Sequence, residues 1–140
     1  MSGFVGFTGN RKGVIEEMIK RIEHRGPDAK GFFAVDDAAM GFCYLGEPQP
    51  VNSVCGRYAV VFNGVIYNKP SDKPDLSDTE HLMNLYAEYG EHMLNMLRGS
   101  FAFAIYDKEE SAIFGARDRF GRPRDSLPKM KKSLDLYFAS

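Results

Sequence analysis

Met1-Ser2-Gly3-Phe4-Val5-Gly6-Phe7-Thr8 opens the chain. Phe4 to Thr8 is short, apolar and aromatic, which suits a strand, and Gly9-Asn10 breaks it. With Met1 removed, Ser2 becomes the terminal residue and carries a hydroxyl and a free α-amine on one carbon. The reference pKa of an α-amine is about 7.7–8.0, so near pH 7 part of it is neutral and can act as a general base. A nucleophile and its base then share one residue at the mouth of a strand. The plain alternative is a small residue after an initiator methionine, so the remainder of the chain has to decide.

Working outward, residues 12–24 place Val14, Ile15, Met18, Ile19 and Ile22 at helical spacing, with Glu16, Glu17, Lys20 and Arg21 between them. Gly26-Pro27 ends that helix, because glycine accepts positive φ and proline cannot continue the ladder. Residues 31–35, 40–45 and 57–62 read as strands, with a turn at Asp36-Asp37 and a Pro/Gly-containing loop over 46–56. Residues 69–76 hold two prolines and read as a loop. Ser77-Asp78-Thr79-Glu80 has capping-box spacing and starts a second helix, whose apolar stripe is Leu82, Met83, Leu85 and Tyr86. Gly90 interrupts it, and a shorter helix is expected over 91–97. Residues 101–106 and 112–116 form a hairpin around Asp107-Lys108-Glu109-Glu110, and 136–139 is a final strand. Strands and helices in separate blocks predict an α+β layered fold.

The 140 residues are 44% hydrophobic and 26% charged, as expected of one soluble domain with a real core. A net charge of -1 argues against nucleic acid or an anionic membrane surface as a partner, since both need a basic field. Cys43 and Cys55 form no CxxC pair, and His24, His81 and His92 form no HExxH, so no metal site is expected. No run approaches the ~20 apolar residues of a membrane span. The start lacks the charged-then-apolar pattern of a secretory leader, so the expected setting is cytoplasmic with reduced thiols.

Phe62-Asn63-Gly64-Val65-Ile66-Tyr67-Asn68 contains an Asn-Gly dipeptide. Taken alone it reads as a tight hairpin turn. The chemical reading is an oxyanion hole, in which the Asn side-chain amide and an adjacent backbone N–H converge on developing negative charge. Asp78 is explained by a helix dipole, and it could also hold a substrate ammonium group. His24-Arg25-Gly26-Pro27-Asp28 reads as a helix exit, and Arg117-Asp118-Arg119-Phe120-Gly121 as a strand exit with ion pairs. His81 and His92 are expected on solvated helix surfaces, and Cys43 and Cys55 in packing or loop roles.

These pieces form an ordered series: Ser2-Gly3-Phe4-Val5-Gly6, His24 to Asp28, Val60 to Asn68, Ser77 to Glu80, Leu97 to Ile105, Ala116 to Gly121, and Tyr137 to Ser140. The series resembles the glutaminase domain of class II glutamine amidotransferases of the asparagine synthetase type, along essentially the whole chain. The resemblance implies an N-terminal nucleophile hydrolase fold, a four-layer αββα sandwich of antiparallel sheets. It also implies hydrolysis of glutamine to glutamate and ammonia, with ammonia passed to a synthetase domain and no metal or organic cofactor. Position by position, Ser2 stands at the nucleophile, where family members have cysteine. Asn63 and Gly64 match the oxyanion-hole pair, Asp78 the carboxylate that holds the glutamine α-amine, and Leu45 a residue lining the same pocket.

The departures fall in the site. The family arginine that pairs with the glutamine carboxylate appears here as Tyr44, and the glutamate after Asn-Gly as Val65. A serine hydroxyl forms almost no anion at pH 7 and depends wholly on the amine. Losing a bidentate arginine removes the strongest carboxylate anchor. The loops at 46–56 and 69–76 are shorter than in the family. The chain reads as one domain, 1–140, C-terminally short and without a synthetase domain. The expectation is weak or absent glutamine hydrolysis. Two other readings stand beside it: an N-terminal serine amidohydrolase acting on another amide, and a non-catalytic partner or scaffold of a separate synthetase.

Overall fold

The computed structural model describes residues 3–8, 13–25, 29–35, 38–44, 51–119, 122–131 and 137–139. In chain order the elements are β1 (Gly3–Thr8), α1 (Val14–Ile22), a 3₁₀ turn (Glu23–Arg25), β2 (Ala29–Val35), β3 (Ala38–Tyr44), β4 (Val51–Asn52) and β5 (Tyr58–Ile66). They continue with α2 (Asp78–Tyr89), a 3₁₀ segment (Gly90–Met96), β6 (Gly99–Asp107), β7 (Ala112–Arg119), β8 (Arg122–Lys131) and β9 (Tyr137–Ala139). The strands form two sheets, ordered β2-β3-β1-β9 and β4-β5-β6-β7-β8, and every pairing is antiparallel.

Strand side chains alternate between two apolar environments, because successive residues point to opposite faces. In the first sheet Val5, Phe7, Ala39 and Cys43 meet Ile15, Ile19 and Ile22 of α1. The opposite face presents Phe4, Ala38, Met40 and Phe42 to Ala59, Val61, Ala104, Tyr106 and Ile113 of the second sheet. The outer face of that second sheet packs Val60, Phe62, Ile66, Phe103, Ile105 and Phe114 against Leu82, Met83 and Tyr86 of α2 and Met93 of the 3₁₀ segment. Helix, sheet, sheet and helix are therefore joined by three separate cores. α1 sits directly on Gly41 of β3, where an added Cβ would collide with the Ile19 side chain. Tyr86 stacks on Phe114 with ring centroids 5.3 Å apart and meets Tyr58 edge-on at 5.5 Å.

Local chemistry explains most element ends. Ser77 caps α2, accepting from the Glu80 N–H at 3.2 Å, while Glu80 Oε2 accepts from the Ser77 N–H at 3.1 Å. Asp107 closes the β6–β7 hairpin by accepting from the N–H of Glu109 at 3.0 Å. Its carboxylate is 2% exposed and accepts a bidentate pair from Arg57 at 3.0 and 2.9 Å, and Arg57 also meets Glu109 at 3.0 Å. Burial pushes the Asp107 carboxyl up, but the Arg57 guanidinium and the Glu109 and Glu110 amides outweigh it and hold it below its ordinary value.

Four expectations need correction. Residues 46–56 are not wholly loop: Val51 and Asn52 pair with Val60 and Ala59. The segment after Arg117 does not simply leave the sheet. β7 runs to Arg119, and β8 pairs back along it with register shifts between Ile113 and Gly115 and between Arg117 and Arg119. The expected second short helix is 3₁₀ and spans Gly90–Met96. Asn63-Gly64 is not a turn, because both residues lie inside β5, opposite Ala102 and Phe101 of β6.

Leu82, on the inward face of α2, is fully buried. Leu82→Ala is expected to lower the unfolding free energy by about 3 kcal/mol, read from urea titration. A loss under about 1 kcal/mol would mean that α2 is not part of the core.

Candidate functional site: the open edge of β5

Two backbone contacts fix the phase of the β5–β6 ladder. The Tyr67 N–H donates to the Arg98 carbonyl at 2.7 Å, and the Lys108 N–H donates to the Arg57 carbonyl at 2.9 Å. Bonded and non-bonded pairs alternate along an antiparallel ladder. The odd-numbered residues of β5 therefore bond to β6, and the even-numbered amides, including Gly64 and Ile66, face the other edge. There Ser53 donates its N–H to the Tyr58 carbonyl at 2.9 Å, and β4 pairs only as far as Val60. Beyond Val60 no further strand among the described residues pairs on that edge.

Gly64 has φ +132°, and a Cβ there would run into the carbonyl oxygen of Ser100. Glycine is required because the strand adopts a positive φ where it lies close against β6. Asn63 is half-buried beside it, and Val65 is 54% exposed. By alternation Asn63 and Val65 share the face that carries Ala59 and Val61, the side turned toward the first sheet.

Asp78 arrives at the same edge. It is the first residue of α2, and its Oδ2 accepts from the Ile66 N–H at 3.0 Å. Its Oδ1 lies 2.7 Å from Lys69 Nζ, and the carboxylate side chain is 19% exposed. Lys69 Nζ donates a second bond to the Leu76 carbonyl at 3.2 Å. Asn68 secures the chain between them, donating from Nδ2 to the Met96 carbonyl at 2.6 Å and accepting from the Arg98 N–H at 2.8 Å.

Of the expected site residues, Asn63 and Gly64 adjoin toward the end of β5, and Asp78 is held to the same strand through the Ile66 N–H. Ser2 and Leu45 lie outside the described residues. Gly3, which follows Ser2, opens β1, and Phe4 packs with Ala59 and Val61 of β5. An added Cβ on Gly3 would lie 3.2 Å from Arg25 Cδ, so the Arg25 side chain covers the start of β1. In sequence Arg25 reads as part of a helix exit and of the ordered series, with no individual role. Its neighbour Gly3 is 22 positions away, so no local spacing exposes it. Lys69 was missed for a related reason, since nothing in a loop marks a lysine as the partner of a helix-start aspartate.

His81 corrects another expectation. It is 7% exposed rather than solvated, whereas His92 is exposed as expected. Burial pushes the His81 imidazole below its ordinary value, opposed by Asp78 and helped by Lys69. Cys43 is fully buried, its thiol directed to the Ile19 carbonyl at 3.8 Å and raised by burial, in keeping with a packing role. Cys55 is exposed in the β4–β5 loop, 3.4 Å from the Ser53 hydroxyl, and both cysteines are free thiols. Among the described residues no helix is long and apolar enough to cross a membrane.

The lowered His81 value has a defined consequence. The unfolded chain takes up a proton near the ordinary value of about 6.5, and the folded chain does so only at lower pH. Stability is therefore present above that value and is lost as pH falls below it. The urea midpoint is expected to drop between pH 7 and pH 5, and His81→Gln to flatten that drop. An unchanged slope in the variant would mean that His81 is not the group responsible.

Comparison with known proteins matches residues 1–140 to the glutamine amidotransferase domain family. Asparagine synthetase [glutamine-hydrolyzing] 1 of Bacillus subtilis is 35% identical over 145 residues, covering 86% of this chain and 23% of that protein. Asparagine synthetase [glutamine-hydrolyzing] 3 of Arabidopsis thaliana is 32% identical over 138 residues, covering 85% and 23%. The amidase chry2 of Gibberella zeae is 32% identical over 135 residues, covering 81% and 20%. The chain spans less than a quarter of the length of these relatives. With the match running along its whole length, the chain belongs to the glutamine amidotransferase domain family and is related to the asparagine synthetases.

Proposed function

We propose that this chain is a four-layer αββα N-terminal nucleophile hydrolase domain of the glutaminase type, acting on the side-chain amide of glutamine or a related small amide. The observation that carries the reading is the open edge of β5. The Gly64 amide faces that edge, Asn63 adjoins it, and Asp78 is docked two residues away on the Ile66 N–H. The packing of Phe4 against Ala59 and Val61 supports it, because it brings the start of β1 alongside the same strand.

In this mechanism Met1 is removed and the Ser2 hydroxyl attacks the amide carbon. The Ser2 α-amine takes the hydroxyl proton. The carbonyl π pair moves onto oxygen, where the Asn63 side-chain amide and the Gly64 N–H stabilise the charge. Collapse of that intermediate breaks the C–N bond, and the amine passes its proton to the departing nitrogen, releasing ammonia. Water then attacks the seryl ester, the amine accepts its proton and returns one to Ser2, and the free acid leaves. Leu45 lines the pocket, and Asp78 stands at the position that matches the family carboxylate for a glutamine α-amine. Ammonia released here would serve a separate synthetase domain or protein in the cytoplasm, where Cys43 and Cys55 stay reduced.

Rate is expected to be low on glutamine, because Ser2 lacks the acidity of a thiol and neither Tyr44 nor Val65 offers a charge to an amino-acid head group. Intact mass and glutamate release test this together. The expected result is a mass without Met1 and slow release from glutamine. Ser2→Cys should raise the rate without making it robust, and Asn63→Ala in that background should lower it by about 10²-fold. Retained Met1, or a rate indifferent to Asn63, would overturn the mechanism. Robust glutamine turnover by Ser2→Cys would mean that Tyr44 and Val65 do not limit the site.

A further inference from the structure

The ammonium group that Asp78 holds belongs to the protein itself. Lys69 Nζ lies 2.7 Å from Asp78 Oδ1 and donates to the Leu76 carbonyl at 3.2 Å, while Asp78 Oδ2 is taken by the Ile66 N–H at 3.0 Å. Both carboxylate oxygens are therefore engaged. The pair is sheltered, with Asp78 19% and Lys69 34% exposed. A tethered partner only nine positions away in sequence presents its ammonium at a high effective concentration, which a free ligand must exceed. A ligand ammonium would also meet the positive charge of Lys69 as it approached. Along the adjoining strand Val65 is 54% exposed and offers no compensating charge.

We propose that Lys69 is a specificity-determining residue, which by satisfying Asp78 turns the site toward primary amides that carry no α-ammonium group. This rests on the reading of the β5 edge as the amide-hydrolysing site. The substrate class is an aliphatic primary carboxamide with an uncharged α-carbon. Glutamine is then a poor ligand not only through missing anchors but because its amino group must compete with Lys69 for a carboxylate whose charge is already paired. Losing Lys69 frees that carboxylate, since Asp78 keeps its place through the Ile66 amide and the helix start.

The test compares glutamine with glutaramate, which is glutamine lacking only the α-amine, by isothermal titration. The wild-type chain, Lys69→Met and Lys69→Gln are each measured. The wild type is expected to favour glutaramate by about tenfold or more, and both variants to shift the ratio toward glutamine by about tenfold. A wild type that binds glutamine as well as glutaramate overturns the role of Lys69, and so does an unchanged ratio in a folded variant. Either result leaves the amide site standing. Failure of the wild type and both variants to bind either amide overturns the site itself. A wild type without that preference overturns the proposal whether or not either variant folds.

Discussion

The hydrogen bond from the Ile66 amide to the Asp78 carboxylate couples the second sheet to α2 at the point where the candidate chemistry gathers. A strand edge without a neighbouring strand presents amides that need acceptors. A helix start presents positive dipole that favours an anion. One carboxylate answers both demands, and in doing so sets where α2 begins relative to β5. From that origin Leu82, Met83 and Tyr86 fall onto Val60, Phe62 and Phe114. The capping box at Ser77 secures the first turn, but it is Asp78 that fixes the turn in space.

The other end of β5 is held by different means. Arg57 grips the buried Asp107 with two parallel hydrogen bonds, a geometry that a lysine could not reproduce. Between these two anchors β5 lies against β6 closely enough to exclude any side chain at Gly64. The open-edge amide is thus carried on a strand restrained at both extremities and buried across its first five residues. Groups that stabilise charge gain most from such rigidity, because they need not reorganise when the charge forms.

Most elements were legible because their signals are local. Ile15, Ile19 and Ile22 mark the face of α1, Ser77 and Glu80 mark the start of α2, and alternation marks β6 and β7. The failures were of another kind. Asn63-Gly64 carries a strong turn signal, yet nine consecutive pairings with β6 outweigh it, and only Gly64 takes a positive φ. β8 contains Pro123 and Pro128 among charged residues, so neither propensity nor period announces a strand. His81 sits on a helix with a weak apolar stripe, where periodicity could not tell its buried side. Of the candidate site, Asn63, Gly64 and Asp78 are named by sequence alone. The Lys69 pairing and the approach of Arg25 to Gly3 are not, since each depends on how distant segments come together.

Parity is an inherited property of β5. Its amides divide by number, odd ones bonding to β6 and even ones facing the opposite edge, where β4 reaches only to Val60, and the count is pinned at Arg57 and Tyr67. Substitution can rewrite the side chains between those points without touching this division. Deleting one residue there would exchange the two sets, turning the Gly64 amide inward and sending the core aromatics to the wrong layer. The length of this segment is therefore more tightly constrained than the identity of its exposed side chains.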